Sequence, residues 1–168
     1  MSNIYLVGFM GTGKTEVARL LAKQLKRSFV DMDELIVARE KRTIPEIFET
    51  KGEPYFRKLE KDLVRELAEK DLLVVACGGG AFVDPDNIER LKTSGTVFCL
   101  TSTPETILRR TGRFAHRPLL NVADPKAAIE DLLKKRASFY AQAHHTIDGD
   151  KITVPETVGE ILKILEKL

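Results

Sequence analysis

The chain has 168 residues, of which 43% are hydrophobic and 31% charged, and its net charge is +2. That length suits one domain with a real core and is too short for two ordinary ones. The composition excludes disordered and fibrous classes, and the near-balanced charge gives no reason to expect nucleic-acid or membrane-surface binding. No apolar stretch approaches the roughly 20 residues needed to span a bilayer. The first apolar run lacks a positively charged lead, so no secretory leader is expected and a cytoplasmic protein is.

Taken in chain order, Asn3–Val7 is the first predicted strand, an apolar run. It leads into Gly8-Phe9-Met10-Gly11-Thr12-Gly13-Lys14-Thr15, a complete G-x-x-x-x-G-K-[ST] sequence, and a helix is expected over Lys14–Lys26. A strand ending in a glycine-rich turn aims backbone N–H groups into one concavity, and the following helix adds its positive end. Lys14 can reach β- and γ-phosphate oxygens, and the Thr15 hydroxyl can ligate Mg²⁺. The competing reading, a glycine-rich turn that binds nothing, does not explain the strand and helix on the correct sides.

A second strand, Ser28–Asp31, ends in Asp31-Met32-Asp33. In an open α/β sheet that end faces the ligand crevice. Its carboxylates suit holding Mg²⁺ water and accepting a hydrogen bond from a substrate hydroxyl, or else capping the next helix. Helices are expected at Met32–Glu40, Ile44–Thr50 and Pro54–Glu69. Arg57 and Glu60 are three residues apart in the last of these, so Glu60 can orient Arg57. The strand Leu72–Ala76 is followed by Cys77 and then Gly78-Gly79-Gly80, a tract suited to close backbone approach or a forced turn. It lacks the terminal Asp of a Walker B strand, which leaves Asp31 as the metal carboxylate.

The remaining predicted elements are helix Pro85–Lys92, strand Thr96–Leu100, helices Pro104–Arg110 and Pro125–Ala143, strand His145–Ile147 and helix Pro155–Leu168. Pro85, Pro104, Pro125 and Pro155 sit just inside helix starts, preceded by Asp84, Thr103, Asp124 and Val154. Thr111–Ala123 has no periodicity; Arg109 and Arg110 close the helix before it and Arg113 and Arg117 lie within it, as expected of a mobile lid closing over transferring phosphate. By spacing alone Arg57 and Arg136 read as surface charges, yet two guanidinium forks also offer bidentate recognition of a carboxylate. Cys77 and Cys99 lie in apolar runs and are expected to be buried thiols. His144 and His145 lack metal-ligand spacing. The alternation of strands and helices predicts an α/β sandwich around a mostly parallel sheet.

Together GFMGTGKT at 8–15, DMD at 31–33, GEPYFRKLE at 52–60, GGG at 78–80, RPLL at 117–120 and RASFY at 136–140 resemble the shikimate kinases, in family order across nearly the whole chain. The resemblance implies a P-loop kinase fold of the nucleoside-monophosphate-kinase-like type, a three-layer α/β sandwich with a five-stranded parallel sheet. It implies ATP-dependent phosphorylation of the 3-hydroxyl of shikimate on the route to chorismate and aromatic amino acids. Carried over by residue, it puts Asp33 on the shikimate hydroxyls as candidate base. Arg57 and Arg136 go to the carboxylate, and Gly79 and Gly80 to backbone contacts. Thr15 and Asp31 fall to Mg²⁺, and Lys14 and Arg117 to the phosphates and catalysis. Gly11, Thr12, Gly13 and Glu16 complete the phosphate loop's share of ATP. Arg110 stacks on adenine, and the loop Asp148–Pro155, ending in Pro155, forms the other wall. Cys77 stands where the family often has a hydroxyl residue. The expected organisation is one domain over 1–168, a monomer, with a lid at about 111–123 and a substrate-binding helical segment at about 32–62. The alternatives are another small-molecule kinase of the same fold, for gluconate or a nucleoside monophosphate, and a non-catalytic nucleotide switch. The paired arginines and glycine tract oppose the first, and the intact Lys14, Asp33, Arg57, Arg117 and Arg136 oppose the second.

Overall fold

Strand β1 is Asn3–Val7, and all of its residues are buried. Its alternate positions separate: Tyr5 and Val7 enter one apolar cluster, Ile4 and Leu6 another on the opposite face. A pleated strand covered on both sides therefore reads as an unbroken apolar run. The computed structural model describes residues 2–112 and 118–168. Its other strands are β2 (Ser28–Asp31), β3 (Leu73–Ala76), β4 (Gly95–Thr101) and β5 (His145–Asp148). They form one five-stranded sheet in the order β2-β3-β1-β4-β5. Every pairing is parallel.

Helices α1 (Lys14–Leu25) and α8 (Val154–Leu165) cover one face. Val17, Leu21, Val158 and Ile161 pack there against Ile4, Leu6, Val74 and Phe98. The other face carries α2 (Met32–Glu40), α3 (Ile44–Lys51), α4 (Glu53–Ala68), α5 (Pro85–Ser94), α6 (Pro104–Arg110) and α7 (Pro125–Tyr140). Met32, Ile47, Phe56, Val64, Leu91, Ile107 and Ile129 meet Tyr5, Val75 and Val97 in that layer. This is the expected three-layer sandwich. From central β1 the chain winds first to one side of the sheet and then to the other. The resulting crevice lies beyond the carboxyl ends of the strands, where such sheets bind ligands.

Local chemistry sets the boundaries. Asp84, Thr103 and Asp124 each accept a backbone N–H of the helix they precede, as their positions before proline suggest. The last helix differs from expectation. Thr153, not Val154, caps it, with Glu156 completing a capping box, because Pro155 fits the second helical position as well as the first. Leu72 is not in β3: it has φ +61° and is 45% exposed. The strand starts one residue later, where the Leu73 N–H meets the Asn3 side-chain oxygen at 3.0 Å. Helix α7 stops at Tyr140 rather than Ala143, and tighter turn bonds from Gln142 and Ala143 finish it.

Asn3 is a buried clamp at the amino ends of the strands. Its amide donates to the Tyr5 hydroxyl at 2.9 Å, the Leu67 carbonyl at 3.1 Å and the Lys70 carbonyl at 2.7 Å. It thereby ties the end of α4 to β1 and β3. Cys77 and Cys99 are free, buried thiols, as expected. Among the described residues no helix is long and apolar enough to cross a membrane.

Candidate active site

The turn after β1 is shaped by close approach. Gly8 has φ +133°, and a Cβ there would run into the Leu100 carbonyl of β4. Gly11 has φ +77°, and its Cβ would lie 2.8 Å from the Thr111 side chain. Gly13 caps α1 without a side-chain acceptor. The first N–H groups of α1 are left for an anion at the helix's positive end. Lys14, 9% exposed, folds back so that its ammonium donates to the Gly8 and Phe9 carbonyls, each at 2.8 Å. Thr12 is buried and its hydroxyl donates to the Phe9 carbonyl at 2.8 Å, fixing the loop.

Asp31 does both things its position suggests. One carboxylate oxygen caps α2 through the Glu34 N–H at 3.0 Å, and the other accepts the Thr15 hydroxyl at 2.6 Å. Asp33 sits on the first turn of α2 and borders both the phosphate-loop cavity and the next one along. A Cβ at Gly78 would lie 2.6 Å from Glu60 Oε2 and 2.9 Å from Asp33 Oδ1. Two carboxylates thus crowd the Gly78 backbone, where glycine leaves them room.

Arg57 and Arg136 converge from α4 and α7 on one cavity, with Asp33, Gly79 and Gly80. Arg57 donates to Glu60 at 2.6 Å and to Glu53 at 3.2 and 3.3 Å. Glu60 is fully buried, and burial pushes its carboxyl up to about 7, against the pull of the Arg57 guanidinium and with a push from Asp33. Arg136 is only 6% exposed. Its guanidinium meets one hydrogen-bond acceptor among the described residues, the Tyr140 hydroxyl at 3.5 Å, and lies 5.5 Å from the centroid of the Phe9 ring. Neither arginine is the surface charge that spacing alone suggests. Ile44, Phe48, Phe56 and Leu119 add apolar lining to the same cavity, and the Arg57 guanidinium lies 5.4 Å from the centroid of the Phe56 ring.

Three cavities adjoin along the carboxyl edge of the sheet. The arginine-lined one has an empty volume of about 450 Å³. It shares Met10, Asp33 and Gly79 with a middle cavity lined by Lys14, Thr15, Asp31 and Cys77. The middle one shares Gly11, Gly13 and Glu16 with a third, bounded by Arg110, Gly149, Ile152, Thr153 and Val154. Arg110 donates to the Gly11 carbonyl at 3.3 Å. Pro155 is exposed and borders none of the three; its neighbours Thr153 and Val154 do. The expected lid spans 111–123. Thr111 and Leu120 are buried near its two ends, while residues 113–117, with Arg113 and Arg117, lie outside the described residues.

Sequence reasoning passed over Tyr140 and Glu53. Each is one helical turn from an arginine of the site, and that i, i+4 relation was the available signal. The apolar lining was hidden because Ile44 and Phe48 on α3 read as ordinary core positions.

A sequence model of the shikimate kinase family matches residues 10–166. The chain belongs to the shikimate kinase family. The shikimate kinase of Thermoanaerobacter pseudethanolicus is 42% identical over 168 residues, covering 100% of this chain and 98% of that protein. The solved structure of shikimate kinase from Acinetobacter baumannii in complex with shikimate superposes with a TM-score of 0.96 at 42% identity, over 99% of this chain and 94% of that one. That of Aquifex aeolicus gives 0.87 at 38% identity, over 98% and 96%. The P-loop kinase fold read from the sequence is the fold of these shikimate kinases.

Proposed function

We propose that this protein transfers the γ-phosphoryl group of ATP directly to the 3-hydroxyl of shikimate, giving shikimate 3-phosphate. One observation carries the acceptor: Arg136 is a buried guanidinium with only a long bond to a neutral hydroxyl, in the same cavity as Arg57 and Asp33. A buried cation with no hydrogen-bonded anion is costly, since Glu60 acts on it only at longer range, and a bound carboxylate removes that cost. The apolar lining of the cavity suits the carbon face of a ring, whereas a gluconate-like chain hydroxylated along its length would desolvate polar groups there. Family membership supports the same reaction.

In this reading Arg57 and Arg136 grip the substrate carboxylate, and Gly79 and Gly80 offer backbone contacts. Asp33 then accepts a hydrogen bond from the attacking hydroxyl and takes its proton as the phosphorus–oxygen bond forms. Lys14, swung from the Gly8 and Phe9 carbonyls, neutralises the transferring phosphoryl group with Arg117 of the lid. The phosphate-loop N–H groups from Gly11 to Glu16 hold the rest of the triphosphate. Arg110 and the loop ending at Pro155 hold adenine. Mg²⁺ is the hard cation that the Thr15 hydroxyl and Asp31 carboxylate fit, and these two would hold it beside the phosphates. When bound it supplies charge neutralisation on the phosphate oxygens. We take the chain as a single kinase domain over 1–168, with a lid at 111–123 and an acceptor-binding helical segment at 32–62. It works as a cytoplasmic monomer.

ADP release should be followed with ATP, Mg²⁺ and either shikimate or its methyl ester. Turnover with shikimate, and a Michaelis constant more than tenfold higher for the ester, is the expected result. Equal turnover of both would remove the carboxylate from the account.

A further inference from the structure

The two arginines of the acceptor cavity are held by different chemistry. Arg57 is oriented by carboxylates, Glu60 at 2.6 Å and Glu53 at 3.2 Å. Those anions spend part of its charge. Among the described residues no carboxylate bonds directly to Arg136, and Glu60 acts on it only at longer range. It lies between the Phe9 ring at 5.5 Å and the Tyr140 hydroxyl at 3.5 Å, both neutral.

Tyr140 has a specific geometry. It follows Arg136 by four residues on α7, so the two side chains share a helix face. Its hydroxyl donates to the Gly79 carbonyl at 2.6 Å. A carbonyl can only accept, so the phenolic proton is committed to Gly79. Only lone pairs are then left for Arg136. Burial pushes the phenol up from its ordinary value, so the group stays protonated and does not become an anion that would neutralise Arg136. The Gly79 peptide is the first of two that border the cavity, and a Cβ at the second, Gly80, would strike the Arg57 guanidinium. One hydroxyl therefore touches both the glycine tract and Arg136.

We propose that Tyr140 is a positioning residue for recognition of the acceptor's carboxylate: it pins the Gly79 peptide and orients Arg136 through a neutral acceptor, keeping the guanidinium's charge for the substrate. This rests on the reading that the cavity takes a carboxylate. A phenylalanine in this place keeps the ring in the core but leaves the Gly79 carbonyl without its donor and Arg136 without its acceptor.

The test is steady-state kinetics of Y140F, R136A and the double variant, with the melting temperature of each unliganded protein. Y140F should raise KM for shikimate roughly 5- to 30-fold, less than a short bond to a charged group is worth because the Arg136 contact is long, at 3.5 Å. It should leave KM for ATP unchanged and kcat within about twofold. In R136A, which has already lost the guanidinium, adding Y140F should raise KM for shikimate by a clearly smaller factor than Y140F does alone, leaving only the share carried by Gly79. A merely structural role for Tyr140 predicts otherwise: both KM values moved together, and the same proportional loss in either background. That pattern, or an unchanged KM for shikimate in Y140F, would overturn the inference while wild-type turnover of shikimate still stood. Absence of wild-type turnover would overturn the functional reading and this inference with it.

Discussion

Replacing Gly80 by alanine should weaken acceptor recognition strongly while sparing the fold. The backbone at Gly80 has φ −95° and ψ −2°, a conformation any residue adopts, so alanine introduces no backbone strain. The new methyl group, however, would overlap Arg57 Nη1 and lie 2.6 Å from Cζ and 2.8 Å from Nη2. The guanidinium is the far end of a flexible side chain and swings away, giving up its 2.6 Å contact with Glu60. Loss of one charge-assisted contact to the substrate carboxylate is worth about 1.5–3 kcal/mol, or roughly 10- to 150-fold in affinity. Calorimetry should show shikimate binding weakened by that factor, ATP binding unchanged, and a melting temperature within a few degrees of wild type. Gly79→Ala provides the internal contrast. Its Cβ would meet the Met10 N–H group at 3.3 Å and Arg136 Nη1 only at 3.6 Å, so its effect on shikimate affinity should be much the smaller. Wild-type affinity for shikimate in Gly80→Ala would refute the placement of Arg57 in the acceptor site.

Lys14→Met should reduce kcat by roughly 10²–10³ in a folded protein, measured by ADP release, because a fixed cation is removed from the phosphate site. Glu60 is held at about 7, above its ordinary 4.5, mainly by burial. A carboxyl raised on folding contributes stability that is complete below pH about 4.5 and disappears as pH rises through about 7. The melting temperature of unliganded wild type minus that of Glu60→Gln should therefore fall across that window and level off above it. Asn3→Ala should cost about 2–4 kcal/mol in urea unfolding, since it strands the Leu73 N–H and the contacts to the Leu67 and Lys70 carbonyls in a buried place. Catalytic constants should be unaffected, because Asn3 lies at the opposite end of the sheet.

The phosphate loop, the DMD pair and the sandwich were legible because each is local. Gly8 to Thr15 carry their geometry in residue type, and β1, β3 and β4 are apolar on both faces because helices cover both. Boundaries were less so. Leu72 has the composition of a strand residue, and only its positive φ, imposed by the turn into the Asn3 clamp, excludes it. Thr153 and Val154 both precede or adjoin a helical proline, and the choice between them rests on where Glu156 folds back. Arg57 and Arg136 carried no local sign of their role. Their burial comes from the topology that brings α4 and α7 to one crevice, and the family resemblance, not their spacing, singled them out. Tyr140 offered only its i, i+4 relation to Arg136, because its other partner, Gly79, is 61 residues away.

The central claim is that the acceptor is shikimate, held by its carboxylate so that one hydroxyl meets Asp33. The most direct measurement is ¹H and ³¹P NMR of the product formed from ATP, Mg²⁺ and shikimate by the purified protein. A single new phosphate ester, coupled to the proton on carbon 3 and formed in step with ADP, is the predicted result. Phosphate on another hydroxyl, or ATP hydrolysed while shikimate is recovered intact, would contradict the account.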